Sequence, residues 1–127
     1  MLAVKAQAFL IEGANARHEH EVAVWHTVKL PPGKILIPSV VTHSTDVVEH
    51  RELVSQRLQR NARRLGKDNL IAGADCGFGG RSDPQIAWAK LRAMVKGAAL
   101  ASKARPNRHL AKTERIRLNR GKKHAGP

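Results

Sequence analysis

Three side chains that can bind a metal ion or carry a proton each accompany a short apolar segment of the sequence. Glu12 lies near the end of AQAFLIEG, His43 follows KILIPSVV, and Cys76 follows LIAGAD. Thiolate, imidazole and carboxylate groups are the ligands that zinc takes in proteins, and a catalytic zinc site keeps one position open for substrate. Imidazole can also act as a general acid near neutral pH. The sequence therefore offers groups for metal-assisted or acid–base chemistry.

Each of these residues also has an interpretation without chemistry, and the sequence leaves both open. Cys76 is either a thiolate ligand or nucleophile, or an inert buried thiol that packs like a small hydrophobic residue. Glu12 is either a zinc ligand or a loop cap or salt-bridge partner. His43 is either a proton donor or a ring satisfied by its hydroxyl neighbours. His18 and His20, in the charged segment RHEHE, are predicted to be solvated or to face a substrate.

The three apolar segments are predicted strands, and two helices follow the second and third of them. Asp46 and Glu49 have capping-box spacing before a helix over about residues 51–65, which Gly66 is predicted to end. Asp83 and Pro84 predict the start of a second helix that runs to about residue 103. Its apolar stripe contains Ile86, Trp88, Leu91, Val95, Ala98 and Ala99.

The alternation of strands and helices indicates consecutive βα units in an α/β fold with parallel strands. The carboxyl ends of parallel strands meet at the same edge of the sheet, where the active sites of such folds lie. Glu12, His43 and Cys76 all lie at this edge in the predicted arrangement. The sequence therefore predicts one site formed by three strand ends.

Length and charge limit what the chain can be. Its 127 residues are about half of the roughly 250 that a complete (β/α)8 barrel needs. The formal net charge is +13, and residues 103–127 account for +8 of it, so a basic, irregular, flexible tail is predicted at residues 104–127. A nucleic-acid-binding module is one alternative, although the tail has no aromatic residue for base stacking.

One cysteine excludes an internal disulfide, and with no signal-like segment we expect a soluble, cytoplasmic protein without membrane partners.

Three ordered stretches resemble the carboxyl-terminal catalytic barrel of the cobalamin-independent methionine synthase family. They are IEGANARHEHEV, ILIPSVVTHSTDVVEHRELV and NLIAGADCGFGGRSDPQIAWAKL. The similarity extends to the shorter relatives of the family, which include the coenzyme M alkyltransferases. It covers about residues 7–103 and implies about three βα units of a TIM (β/α)8 barrel, with residues 1–103 as the barrel portion.

The resemblance also implies a zinc-dependent methyltransferase of methionine biosynthesis. In the family, zinc binds the acceptor thiol, homocysteine, and the methyl donor is 5-methyltetrahydrofolate with a polyglutamate tail. On this basis Cys76 is similar to the final zinc-ligand cysteine, Glu12 to the carboxylate near the same zinc, and His43 to the histidine of proton transfer or donor activation. Arg17 and Arg81 are candidates for a cationic rim that binds the donor's anionic tail.

The family takes two further zinc ligands from an upstream HxC motif, and no such motif precedes Ala6 in this sequence. We therefore expect a fragment, a truncated gene product or one piece of a split enzyme, and an N-terminal partner chain or a second copy would cover the unpaired edge of its first strand. Alkyl transfer to another small thiol, of the coenzyme M type, is the alternative within the same family.

Overall fold

The computed structural model describes residues 1–104, which form a parallel sheet with helices packed on one face. The strands are β1 (Ala8–Ile11), β2 (Ile35–Val41) and β3 (Gly73–Ala74), and the helices are α1 (Arg51–Leu65) and α2 (Pro84–Lys103). Short 3-10 helices span Glu19–His26 and Lys67–Asn69. The sheet order is β1-β2-β3, and both pairings are parallel. The α/β fold with parallel strands is thus confirmed, whereas the predicted tail lies outside the described residues apart from Ala104.

Apolar residues of the sheet form two clusters beneath the helices. Val40 and Val41 of β2 pack against Val54 and Leu58 of α1, and all four side chains are buried. A second cluster, of Phe9, Trp25 and Leu36, joins β1 and β2 to the first 3-10 helix. Within residues 1–104, no helix combines the length and apolar character needed to cross a membrane.

The third strand is shorter than its apolar sequence predicts. Segment 70–75 pairs with β2 at Leu70, opposite Leu36, and again at Gly73 and Ala74, opposite Ser39 and Val41. The pairing breaks opposite Pro38, which has no backbone N–H to donate to a neighbouring strand. Only two residues of the segment are therefore regular strand.

Helix α1 has the predicted bounds but a different amino-terminal cap. His50 is the N-cap, and its ring accepts a hydrogen bond from the backbone N–H of Glu52 at 3.3 Å. The predicted capping box of Asp46 and Glu49 is therefore wrong, because the buried Glu49 side chain faces Lys90 of α2. Gly66 ends the helix at a φ of 81°, as predicted.

A polar side chain fastens α1 to the end of β2 and to the first 3-10 helix. Arg57 is buried, and it donates to the carbonyl of Val40 at 3.1 Å and to both carboxylate oxygens of Glu19. Arg60 donates to Glu19 at 2.6 Å. Burial opposes ionisation of Glu19, but the hydrogen bonds and charges of the two arginines outweigh it, so the pKa of Glu19 is lowered.

Helix α2 begins at the predicted cap, with the Asp83 carboxylate accepting from the N–H of Gln85 at 2.8 Å. The predicted apolar stripe is partly wrong, because Trp88 and Val95 are 61% and 66% exposed. The face that contacts α1 and the sheet contains Lys90, Met94, Gly97, Ala98 and Ala101. Gly97 determines which face of α2 packs against α1, since a Cβ at this position would overlap Val54 and come within 2.7 Å of the Arg51 carbonyl.

We expect Gly97→Ala to lower the free energy of unfolding by about 1–3 kcal/mol, the usual cost of overpacking. The steric clash acts against a gain of about 1 kcal/mol in helix propensity. Urea unfolding of the full chain measures the change. Gly77→Ala is the control, because a Cβ at position 77 meets nothing within 4 Å. Equal stability of the two variants would show that the helices do not cross this closely.

Candidate functional site

The three predicted site residues lie at the carboxyl edge of the sheet. Glu12 directly follows β1, His43 comes two residues after β2, and Cys76 comes two residues after β3. Since the strands are parallel and adjacent, their carboxyl ends open onto the same side of the molecule. The structure therefore brings the three loops to one edge, as the sequence predicts.

The carboxylate of Asp75 connects these loops, and sequence reasoning missed it. Its Oδ1 accepts from the backbone N–H groups of Gly13 and Ala14, both at 3.0 Å, and its Oδ2 accepts from Asn15 Nδ2 at 2.9 Å. The Thr42 side chain also favours the charged form of this carboxylate, and the Asp75 N–H donates to the Val41 carbonyl at 3.0 Å. One residue thus ties together the ends of all three strands.

Small residues around these strand ends give a sequence cue to the role of Asp75. Gly13 and Ala14 leave their backbone amides open to an incoming acceptor, and Asp75 stands directly before Cys76. A buried carboxylate needs several donors to remain charged. A run of small residues after one strand and a carboxylate after another predict such a link only when both strands are known to end at the same edge of one sheet, on either side of a shared neighbour.

The hydrogen bonds decide the ionisation of Asp75. Burial favours the neutral acid, but donors from Gly13, Ala14, Asn15 and Thr42 favour the carboxylate and outweigh burial. The pKa of Asp75 is therefore lowered from its ordinary value of 3.8. Asp75 is ionised at neutral pH and stays bound to the loop that contains Glu12.

Glu12 is held at one of its two oxygens. Asn15 Nδ2 donates to Oε2 of Glu12 at 3.2 Å, and His18 Nε2 lies 3.4 Å from the same oxygen. The other ring nitrogen of His18 lies 3.0 Å from Glu21. Asn15 therefore bridges Glu12 and Asp75. Glu12 also lies within salt-bridge distance of His18, as its interpretation as a salt-bridge partner predicts.

Cys76 is an exposed, free thiol. The interpretation of Cys76 as a buried inert thiol is thus wrong. Its backbone neighbour Asp75 is linked through Asn15 to Glu12, so the thiol and that carboxylate lie on connected loops.

His43 is half-buried, and its Nδ1 atom is buried without a hydrogen-bond partner among the described residues. Its hydroxyl neighbours do not satisfy the ring, because Thr42 Oγ1 and Ser44 Oγ bond to each other at 2.7 Å. Either hydroxyl can be the donor in this pair.

Arg17 and Arg81 are exposed and lie on the loops after β1 and β3. Both loops are at the carboxyl edge, so the two cations lie on the same side of the sheet as Glu12 and Cys76. Their contribution at neutral pH is positive charge beside the strand ends.

The donor set is of the zinc type but incomplete. A thiol and a carboxylate suit zinc, which takes about four ligands. Within residues 1–104, no group of three or more His, Cys, Asp or Glu side chains is placed to hold a metal ion. The described residues therefore do not form a complete zinc site.

We expect Asp75→Asn to lower the free energy of unfolding at neutral pH by about 2 kcal/mol, because it weakens buried charge-assisted hydrogen bonds. A lowered folded-state pKa stabilises the protein above the unfolded value of 3.8, and this contribution is lost as the pH falls below it. The difference between wild type and variant should thus shrink on acidification, measured by urea unfolding across pH. Asp46→Asn, at an exposed position, is the control. A difference that does not change with pH would contradict the charge-based account.

The chain has a relative in sequence and a neighbour in structure. It is 42% identical over 60 residues to the methionine synthase of Methanothermobacter marburgensis, which is 46% of this chain and 19% of that protein. A B12-independent methionine synthase from Shewanella sp. W3-18-1, solved in complex with selenomethionine, matches 80% of this chain and 28% of its own with a TM-score of 0.69 and 22% identity. No protein-family model matches the sequence.

The chain thus spans about a fifth of the length of its sequence relative and about a quarter of its structural neighbour. The likeness in structure confirms the predicted resemblance to part of a methionine synthase barrel at the level of fold. The likeness in sequence points independently to proteins of the same name. Both comparisons therefore find this chain similar to part of a methionine synthase, and the structural neighbour is B12-independent.

Proposed function

We propose that the chain supplies part of a zinc-dependent site that transfers a methyl group to a small thiol. The proposed acceptor is homocysteine and the proposed donor is 5-methyltetrahydrofolate with its polyglutamate tail, in the methionine biosynthesis of the cytoplasm. The observation that supports this most strongly is the Asp75 carboxylate, which binds the loop of Glu12 and directly precedes the exposed Cys76.

Cys76 and Glu12 are the residues that would bind the metal. Zinc, when bound, would lower the pKa of an acceptor thiol so that its thiolate forms near neutral pH. Cys76 is sterically accessible for this role because it is exposed and followed by Gly77. Asn15 and His18 contact Glu12 at Oε2, which leaves Oε1 as the oxygen for coordination.

Three further residues have proposed roles around the acceptor and donor. His43 would hold or deliver a proton through Nε2, since its Nδ1 is buried. Arg17 and Arg81 would attract the anionic donor, because both are exposed cations at the carboxyl edge.

The remaining ligands must come from outside residues 1–104, and the surface of the described part is consistent with a missing neighbour. Leu10 is 57% exposed on the sheet face opposite the helices, next to Ile37 and Gly73. Parallel sheets are normally covered on both faces. We propose that a polypeptide with the HxC pair pairs with the free strand edges and completes both the barrel and the zinc ligands.

We expect the full chain to bind zinc weakly, since it provides two of about four ligands. Cys76→Ser and Glu12→Gln should each lower the affinity at least about tenfold, because even outer-shell changes at metal sites cost that much. Competition with a zinc-binding dye measures the affinity. Asp46→Asn is the matched control, as it removes an exposed carboxylate elsewhere.

The same titration with added thiols identifies the acceptor class. Homocysteine should raise the zinc affinity of the wild type, because its thiolate supplies one more ligand. A larger increase with coenzyme M would favour the alkyltransferase alternative. Equal zinc binding by wild type and Cys76→Ser would refute the proposed site.

A further inference from the structure

A buried lysine stands behind the loop that contains His43. Lys90 is fully buried on the inner face of α2. Its Nζ donates to Oε2 of Glu49 at 3.0 Å and to the carbonyl of Val47. Lysine is almost never fully buried without a partner, and Glu49 is the charged partner of Lys90. The proposed methyl transfer assigns no role to Lys90 or to Glu49.

The other carboxylate oxygen of Glu49, Oε1, binds the backbone just after β2. Oε1 of Glu49 accepts the backbone N–H of Thr42 at 2.7 Å. Thr42 is the residue directly before His43, and Val47 lies near the other end of the same loop. Lys90 and Glu49 therefore bind the loop at both ends, a contact we call the Lys90–Glu49 clamp.

The loop between these two points has little other support from burial. Residues 44–48 are exposed, and Val47 is 72% exposed. His43 itself is half-buried with a buried, unpaired Nδ1. An orphaned buried ring nitrogen is unfavourable, so contacts elsewhere must keep the ring in this orientation.

A buried ion pair is a weak source of stability, since apolar residues of similar volume often replace one without loss. What the pair provides instead is a fixed direction, because its hydrogen bonds have defined geometry. We propose that Lys90 and Glu49 are positioning residues that fix the loop of His43 and so hold its ring with the Nδ1 atom buried. The functional value of this orientation rests on the proposed role of His43 in methyl transfer.

The test compares two double variants of the full chain by NMR. Lys90→Met/Glu49→Leu removes both charges and the acceptor for Thr42, whereas Lys90→Met/Glu49→Gln keeps a side-chain carbonyl for Thr42. Imidazole nitrogen shifts report the tautomer of His43, and amide hydrogen exchange reports opening of residues 43–48. Lys96→Met, an exposed lysine on the same helix, is the control.

We expect wild type to show one dominant tautomer of His43, because a ring held in one orientation keeps each nitrogen in one environment. In Lys90→Met/Glu49→Leu the two tautomers should become mixed, and amides 43–48 should exchange at least about tenfold faster while α1 and α2 stay protected. Lys90→Met/Glu49→Gln should fall between this variant and wild type. The control should match wild type.

An unchanged His43 spectrum in Lys90→Met/Glu49→Leu would overturn the proposal. Faster exchange spread equally over both helices would also overturn it, because the pair would then be a general stabiliser. These spectra require neither metal nor substrate. Mixed His43 tautomers in Lys90→Met/Glu49→Leu, together with zinc binding that Cys76→Ser leaves unchanged, would therefore support the Lys90–Glu49 clamp and reject the proposed function.

Discussion

The hydrogen bonds of Asp75 are the constraint on which the candidate site depends. β1 and β3 do not pair with each other, because β2 lies between them. Asp75 reaches across the end of β2 and accepts from three donors in residues 13–15 of the loop after β1. These donors favour the charged carboxylate and keep the pKa of Asp75 low. Ionisation and loop geometry therefore support each other.

Two ion pairs connect α1 and α2 to the carboxyl end of β2. Arg57 of α1 binds Glu19 and the carbonyl of Val40, and Lys90 of α2 binds Glu49. Arg57 thus contacts a carboxylate at the start of the first 3-10 helix, and Lys90 contacts a carboxylate in the loop before α1. Each helix thus contributes one buried cation to the order of the edge, in addition to its apolar contacts. The apolar core determines the distance between the sheet and the helices, and the polar contacts determine the positions of the loops at the carboxyl edge.

The alternation of apolar and polar segments was enough to predict the strands, both helices and the edge where Glu12, His43 and Cys76 lie. It could not predict the phase of α2, because Trp88 and Val95 look like core residues while Lys90 looks like a surface residue. The choice depends on Gly97, whose missing side chain lets Val54 approach. The sequence pattern also could not predict the cap of α1, because Glu49 binds Lys90, which is 41 residues away in sequence. Local patterns do not reveal partners so far apart.

The account predicts that zinc bound to the full chain has sulfur from Cys76 in its first coordination shell. Zinc-edge X-ray absorption measures this directly, because zinc–sulfur distances of about 2.3 Å differ from those to nitrogen or oxygen. We predict one protein sulfur in the wild type, a second sulfur when homocysteine is added, and none in Cys76→Ser without homocysteine. A shell without sulfur in the wild type, or the same shell in both proteins, would contradict the account.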